Sequence, residues 1–289
     1  MLRPIAISCA FLLGSLSLHA QSGVYIDLSQ PWNPATTVPQ FITANPVDLA
    51  QLSAFSLFRS GEGHDFTDDY EASGRSMKNY LNVQAGLIGT FNTVAVYSPV
   101  NGTIAGVDAE QSEIAPGVPR GYQIHLNPTG FAAFDVRLFH INLDAALGVG
   151  DTVTAGQFLG FAELRPSSPN FDWAVMAAWS AAPDALKLAA RPVEFQGFPY
   201  NTLGARLLNP FELMDTSTFA AWGTYGITDL SETFFTKEYR DAHPSAFSGP
   251  SNPADYFTLA AVPEPATYAG FAGALAFLGA WTLRRRTRS

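Results

Sequence analysis

The residues of this chain that could do chemistry are few. Between Ser60 and Glu71 the sequence SGEGHDFTDDYE puts His64 in front of a run of acids, with Asp68 four positions on. A hydrolytic zinc needs about three N/O protein ligands and an open position for water, and this pair offers two. Gly61, Gly63 and the surrounding acids fit a solvated loop equally well. Further ligands must come from distant positions, since the only cysteine is Cys9 and the histidines after His64 are His125, His140 and His243. His125 stands beside Gln123 and alternates with Ile124 and Leu126, which predicts a solvent-facing ring. His243, in RDAHP, is expected at a helix end, with Arg240 and Asp241 as a local ion pair. Asp172 lies in the apolar run NFDWAVMAA. A buried carboxylate is costly alone, so Asp172 needs a cation, a histidine or backbone donors. No Gly-x-Ser-x-Gly elbow, P-loop or dinucleotide fingerprint occurs.

Short strands must position these groups. AFSLFRSG (54–61) reads as one strand. TVAVYSPVNGTIAGVD (93–108) reads as a hairpin turning at Pro99-Val100-Asn101-Gly102, because Asn-Gly between β-branched runs favours a tight turn. GYQIHLNP and AAFDVRLFHINL give two more strands. In the second, alternation puts Phe134, Val136, Leu138 and His140 on one face, and Asp135, Arg137, Phe139 and Ile141 on the other. Tight glycine turns punctuate GVGDTVTAGQFLGFAE (148–163), and residues 170–178 form a further strand. The spacing predicts a mainly β chain with an antiparallel sheet over residues 51–182. An extended lead-in over 21–50 precedes it, rich in Pro, Thr and Asn between Asp27 and Asp48. A small mixed α/β extension over 183–260 follows, with short capped helices in NPFELMDTSTFAAWGTYG and SETFFTKEYRDAHP. Trp173, Trp179, Trp222, Tyr225, Phe234 and Phe235 are expected mostly in the core, with an exposed subset able to stack on sugar rings.

Composition agrees with a turn-rich β protein: 289 residues, 47% apolar, 14% charged, with 24 Gly and 20 Pro. Both ends look like addresses rather than fold. Residues 1–20 have Arg3, an apolar run and a small-residue ending, the pattern of a signal peptide cleaved after Ala20. At the other end Thr267–Leu283 is an uncharged run of 17 residues followed by Arg284, Arg285, Arg286 and Arg288. It predicts a C-terminal transmembrane helix with its arginines in the cytoplasm and the body outside. Residues 21–262 carry 11 Lys+Arg (16 less Arg3 and the four tail arginines) against 24 Asp+Glu (25 less Glu264), a charge of −13. That excess speaks against nucleic acid and other anionic polymers as partners. With Cys9 in the leader, the mature chain has neither disulfide nor thiolate ligand.

Two resemblances follow from these motifs. Val262-Pro263-Glu264-Pro265, one apolar span and the terminal arginines (261–289) resemble the PEP-CTERM sorting signal. The resemblance implies export across the inner membrane of a Gram-negative bacterium, transient membrane anchoring and processing by an exosortase. Release or attachment at the cell surface would follow. The order GHDFTDD, VAVYSPVNGTIAGV, RLFHINLDAALGVGDTVTAGQFLG, FDWAVMA, from His64 to Ala178, resembles the lysostaphin-type (LytM-like) zinc metallopeptidases. It implies a lysostaphin-type, duplicated-hybrid-motif-like sheet. On that resemblance His64 and Asp68 fall on zinc ligands and His140 on the histidine that assists catalysis. The family's His-x-His strand is replaced: Asp172 takes its catalytic position and Ala174 its ligand position. A methyl group binds no zinc.

Three readings stay open at this level. The site is dead and the domain binds or regulates; or Asp172 joins His64, Asp68 and His140 in a mixed His/carboxylate site for zinc or manganese; or the resemblance is one of fold alone. The corresponding roles are an exported protein binding or remodelling envelope polymers (peptidoglycan peptide or exopolysaccharide), a metal-dependent hydrolase, or a structural matrix component.

Overall fold

The computed structural model describes residues 25–26, 31–68, 70–110, 113–115, 118–119, 121–164, 170–180, 192–195, 198–201 and 205–260. The expected signal peptide and sorting signal lie outside these residues. No helix of the described residues is long and apolar enough to cross a membrane.

The chain is mainly antiparallel β with few helices. Eleven strands of the described residues form one sheet: β1 (Leu52–Ser56), β2 (Asn79–Val83), β3 (Ala95–Tyr97), β4 (Gly102–Ala109), β5 (Tyr122–Pro128), β6 (Phe134–Leu143), β7 (Thr152–Val153), β8 (Phe158–Ala162), β9 (Asn170–Ala178), β10 (Ala205–Leu208) and β11 (Tyr256–Thr258). Their order is β11-β1-β2-β9-β6-β5-β4-β7, with β8 joining β3 to β6 and β10 alongside β9. The expected extension thus donates β10 and β11 to the same sheet. Two α-helices of the described residues, α1 (Thr216–Gly223) and α2 (Lys237–Ala242), begin at Asp215 and Thr236, whose side chains accept the Thr218 and Tyr239 backbone N–H groups.

β9 lies at the centre, and every residue after Asn170 is buried. Phe171, Trp173 and Val175 enter the apolar core on one face. There Trp173 meets Phe211, which packs with Phe55 and Trp222. The extension therefore closes the core, and Trp222 is fully buried. The other face of β9 carries Asp172 and Ala174.

Two local expectations are corrected. The 93–108 stretch is not a hairpin: β3 pairs with β8, and β4 with β5 and β7. The backbone groups that a tight turn would use are engaged elsewhere. Pro99 O accepts from Thr43 N, Asn101 O accepts from Thr129 N, and the Asn101 side chain accepts from Ala155 N. Gly102 is needed for a different reason, since a Cβ there would lie 2.3 Å from Asn127 O on β5.

Strict alternation in β6 also fails. Tyr122 opposes Ile141, whereas Ile124 opposes Leu138, so β6 spends three steps where β5 spends two. The extra residue is a β-bulge, and within it His140 has φ +60°. His140 consequently leaves the face of Val136 and Leu138.

Candidate functional site

The polar face of the central strands is built from four neighbours. Asp172 on β9 stands opposite Tyr80 on β2, and Lys78 lies two residues before Tyr80. Phe139 and the bulged His140 come from β6, and Glu110 from just past β4. Lys78 Nζ donates to Asp172 Oδ2 at 2.5 Å, with both side chains almost fully buried. Three rings surround the ammonium, with centroids 4.6 Å (Phe139), 4.7 Å (Tyr80) and 5.2 Å (Phe66) away. Their negative π-faces favour a desolvated cation.

The other carboxylate oxygen, Asp172 Oδ1, is 3.4 Å from His140 Nε2. His140 is held from behind by Glu110, which accepts the His140 backbone N–H at 3.0 Å and pairs with Nδ1. Burial alone pushes the Asp172 carboxyl up. Lys78 and His140 outweigh that and hold it below the usual carboxylate range.

His64 approaches the same cluster from the 61–76 loop. Its Nδ1 contacts Asp65 O at 2.9 Å. Burial, then the Lys78 charge, lower its pKa to about 4, while Asp172 opposes them. At neutral pH it is an uncharged imidazole. Gly63 places it: with φ +68°, a Cβ there would lie 1.9 Å from the Tyr80 hydroxyl, so only glycine lets the loop close onto β2.

Asp68 does not join the others. Its carboxylate caps the 61–76 loop against β10, accepting from Leu207 N at 2.9 Å and Tyr70 N at 3.0 Å, with Arg206 at 3.6 Å. Burial nevertheless raises its pKa, against the pull of Arg206 and Leu207 N–H.

A zinc does not fit this residue set. The carboxylate a metal would need is already neutralised by the Lys78 ammonium, Asp68 is turned to β10, and Ala174 is a buried methyl. Among the described residues no three His, Cys, Asp or Glu side chains come together to hold a metal. His140 and Asp172 meet, with a lysine rather than a metal on the carboxylate.

Lys78 and Glu110 were missed from sequence. The signal for the first was available: Asp172 needed a cation, and the chain has three lysines, Lys78, Lys187 and Lys237. Lys78 also alternates with Tyr80 and Asn82 on one strand face. Glu110 carries no such signal.

Two smaller expectations are corrected at this level. His125 is 1% exposed, not solvent-facing. It lies between Asp135 (2.8 Å) and Asp108 (3.2 Å) under the ring of Tyr25, 4.1 Å away, because the N-terminal segment covers that face of β5. Arg240 and Asp241 do not pair with each other. Adjacent helix positions point apart, so Arg240 binds Asp255 at 2.7 Å and Asp241 binds Arg75 at 2.5 Å. His243 does cap the end of α2.

Beyond Tyr80 the polar face opens into a cavity of about 650 Å³, whose lining includes Glu62, Tyr80, Asn82, Asn170, Asn252 and Tyr256.

No family model matches the chain, and no curated protein matches it. Among solved structures it is similar to Helicobacter pylori Csd3 at 14% identity, over 47% of this chain and 32% of that one, with a TM-score of 0.31. It is similar to lysostaphin at 20% identity, over 43% and 44% of the two chains, with a TM-score of 0.27. The M23 metalloprotease pseudoalterin gives 18% identity over 47% and 71%, with a TM-score of 0.31. The chain thus spans less than half of the Csd3 and lysostaphin chains.

Proposed function

We propose that this protein is an exported, non-catalytic envelope protein. Its β domain keeps the order of lysostaphin-type motifs but has exchanged the metal for a lysine. The observation that carries the reading is the Lys78–Asp172 ion pair inside its aromatic box. A fixed ammonium removes the need for a metal, and it can neither polarise a carbonyl as a Lewis acid nor generate a metal-bound hydroxide.

The ligand surface in this reading is the neighbouring cavity. Its amides and tyrosine edges suit a hydroxyl- and amide-rich polymer of the cell envelope, peptidoglycan peptide or exopolysaccharide. The body charge of −13 argues against an anionic one. Secretion through the residue 1–20 signal is part of the same proposal, as are membrane anchoring by 267–283 and exosortase trimming near Val262–Pro265.

Co-sedimentation of the purified chain with peptidoglycan sacculi and with neutral exopolysaccharide tests it, alongside a muralytic assay with added zinc. The proposal expects polymer binding, weakened by Asn82→Ala and Asn170→Ala, and no zinc-dependent cleavage. Cleavage that is lost in His64→Ala would overturn it.

A further inference from the structure

The environment of Lys78 goes beyond what a charge replacement requires. The amine and the carboxyl touch at 2.5 Å, both are almost wholly desolvated, and three rings wall them in. A histidine stands 3.4 Å from the second carboxylate oxygen, and its side chain is 18% exposed. We propose that Lys78 Nζ and Asp172 Cγ are the reactants of an intramolecular amide bond, formed once the chain has folded. The inference rests on the reading above, in which Lys78 rather than a metal faces Asp172.

The steps balance without a co-reactant. The ammonium transfers one proton to Oδ2, leaving a neutral amine and a carboxylic acid. The amine lone pair attacks Cγ, and the C=O π-electrons move to Oδ1, the oxygen that faces His140. A second proton then passes from nitrogen to the Oδ2 hydroxyl, which departs as water as the C–O bond breaks and the Oδ1 carbonyl reforms. An ammonium and a carboxylate become one secondary amide and one water, with no change in net charge or oxidation state. His140 is the catalytic residue, donating from Nε2 to Oδ1 as charge develops there and taking that proton back as the carbonyl reforms. Its partial exposure gives the water a way out.

Two physical arguments favour the reaction here over the same pair in solution. A buried ion pair carries a desolvation penalty on both charges, and a neutral amide does not. Holding the reactants in contact replaces a bimolecular encounter by effective molarities on the order of 10⁵–10⁸ M. The product would tie the entry of β2 to the central strand β9 across 94 positions of sequence.

The test is peptide mapping of the full chain, purified, denatured and digested with trypsin. The proposal expects no cleavage after Lys78. The peptides carrying Lys78 and Asp172 should appear as one branched species, lighter than their sum by one water. Lys78→Arg should abolish that species, and His140→Ala should slow its appearance by about a hundredfold. Should a variant fail to fold, the folded wild-type digest decides alone: separate, unmodified peptides with normal cleavage after Lys78 overturn the proposal. Zinc titration of the same preparation keeps the two ideas apart. Separate peptides without zinc binding sink only the amide bond, while zinc binding sinks the lysine-for-metal reading beneath it.

Discussion

The lysine that faces Asp172 decides how this site behaves at the residue scale. Removing one member of a buried ion pair leaves the other uncompensated, at a cost of about 3–5 kcal/mol. Relative to the parent before any Lys78–Asp172 bond has formed, Lys78→Met should therefore lower the urea-unfolding free energy by that amount. The double variant Lys78→Met/Asp172→Leu should recover more than half of it, because it removes the stranded charge as well. His64 adds a pH dependence. Its folded-state pKa of about 4 lies below the ordinary 6.5. Between those values the unfolded chain binds a proton that the folded chain refuses, so stability falls as pH drops from 6.5 to 4. Urea midpoints measured across that window should slope less in His64→Asn than in the parent. The sequence made part of this legible. It marked His64, His140 and Asp172 as chemically notable and said that Asp172 required a partner. It could not say which of several cations would supply one, because Lys78 lies 94 positions away and only the β2–β9 register brings it near.

At the scale of elements, most strands were readable and their partners were not. The β9 boundaries, Asn170–Ala178, follow directly from its apolar run. The Asn-Gly signal at residues 101–102 was a real turn signal, but non-local pairing of β3 with β8 overrode the local hairpin. The bulge in β6 is the most consequential miss. Alternation assigns His140 to the wrong face, and a single extra residue reverses that assignment. A left-handed backbone costs a non-glycine residue about 1–2 kcal/mol, so the strain at φ +60° is held there by the Glu110 contacts and the flanking ladders. Both His140→Gly and His140→Ala lose the imidazole. By urea unfolding, the glycine variant should be the more stable of the two by about 1 kcal/mol. If alanine is equal or better, the bulge geometry is not what the backbone adopts.

At the scale of the molecule, residues 205–260 are fastened to the sheet by charge as well as by the β10 and β11 ladders. Glu71 accepts from Arg59 at 2.7 Å, Arg75 at 2.8 Å and Arg206 at 2.9 Å, joining the 61–76 loop to β10. Burial would raise the Glu71 pKa, and the three guanidiniums instead hold it down. Glu71→Ala should remove the carboxylate that three guanidiniums share and increase hydrogen exchange in the 61–76 loop and β10 together. Exchange confined to one of them would show that the network does not couple the two. This clamp was invisible from sequence, since its members are spread from Arg59 to Arg206. The central claim concerns what neutralises Asp172 in the whole folded protein. Native mass spectrometry of the full chain during zinc titration measures that most directly. The account predicts no stoichiometric zinc adduct at micromolar metal, and the same spectrum for His64→Ala as for the parent. One zinc per chain, lost in His64→Ala or Asp172→Ala, would contradict it.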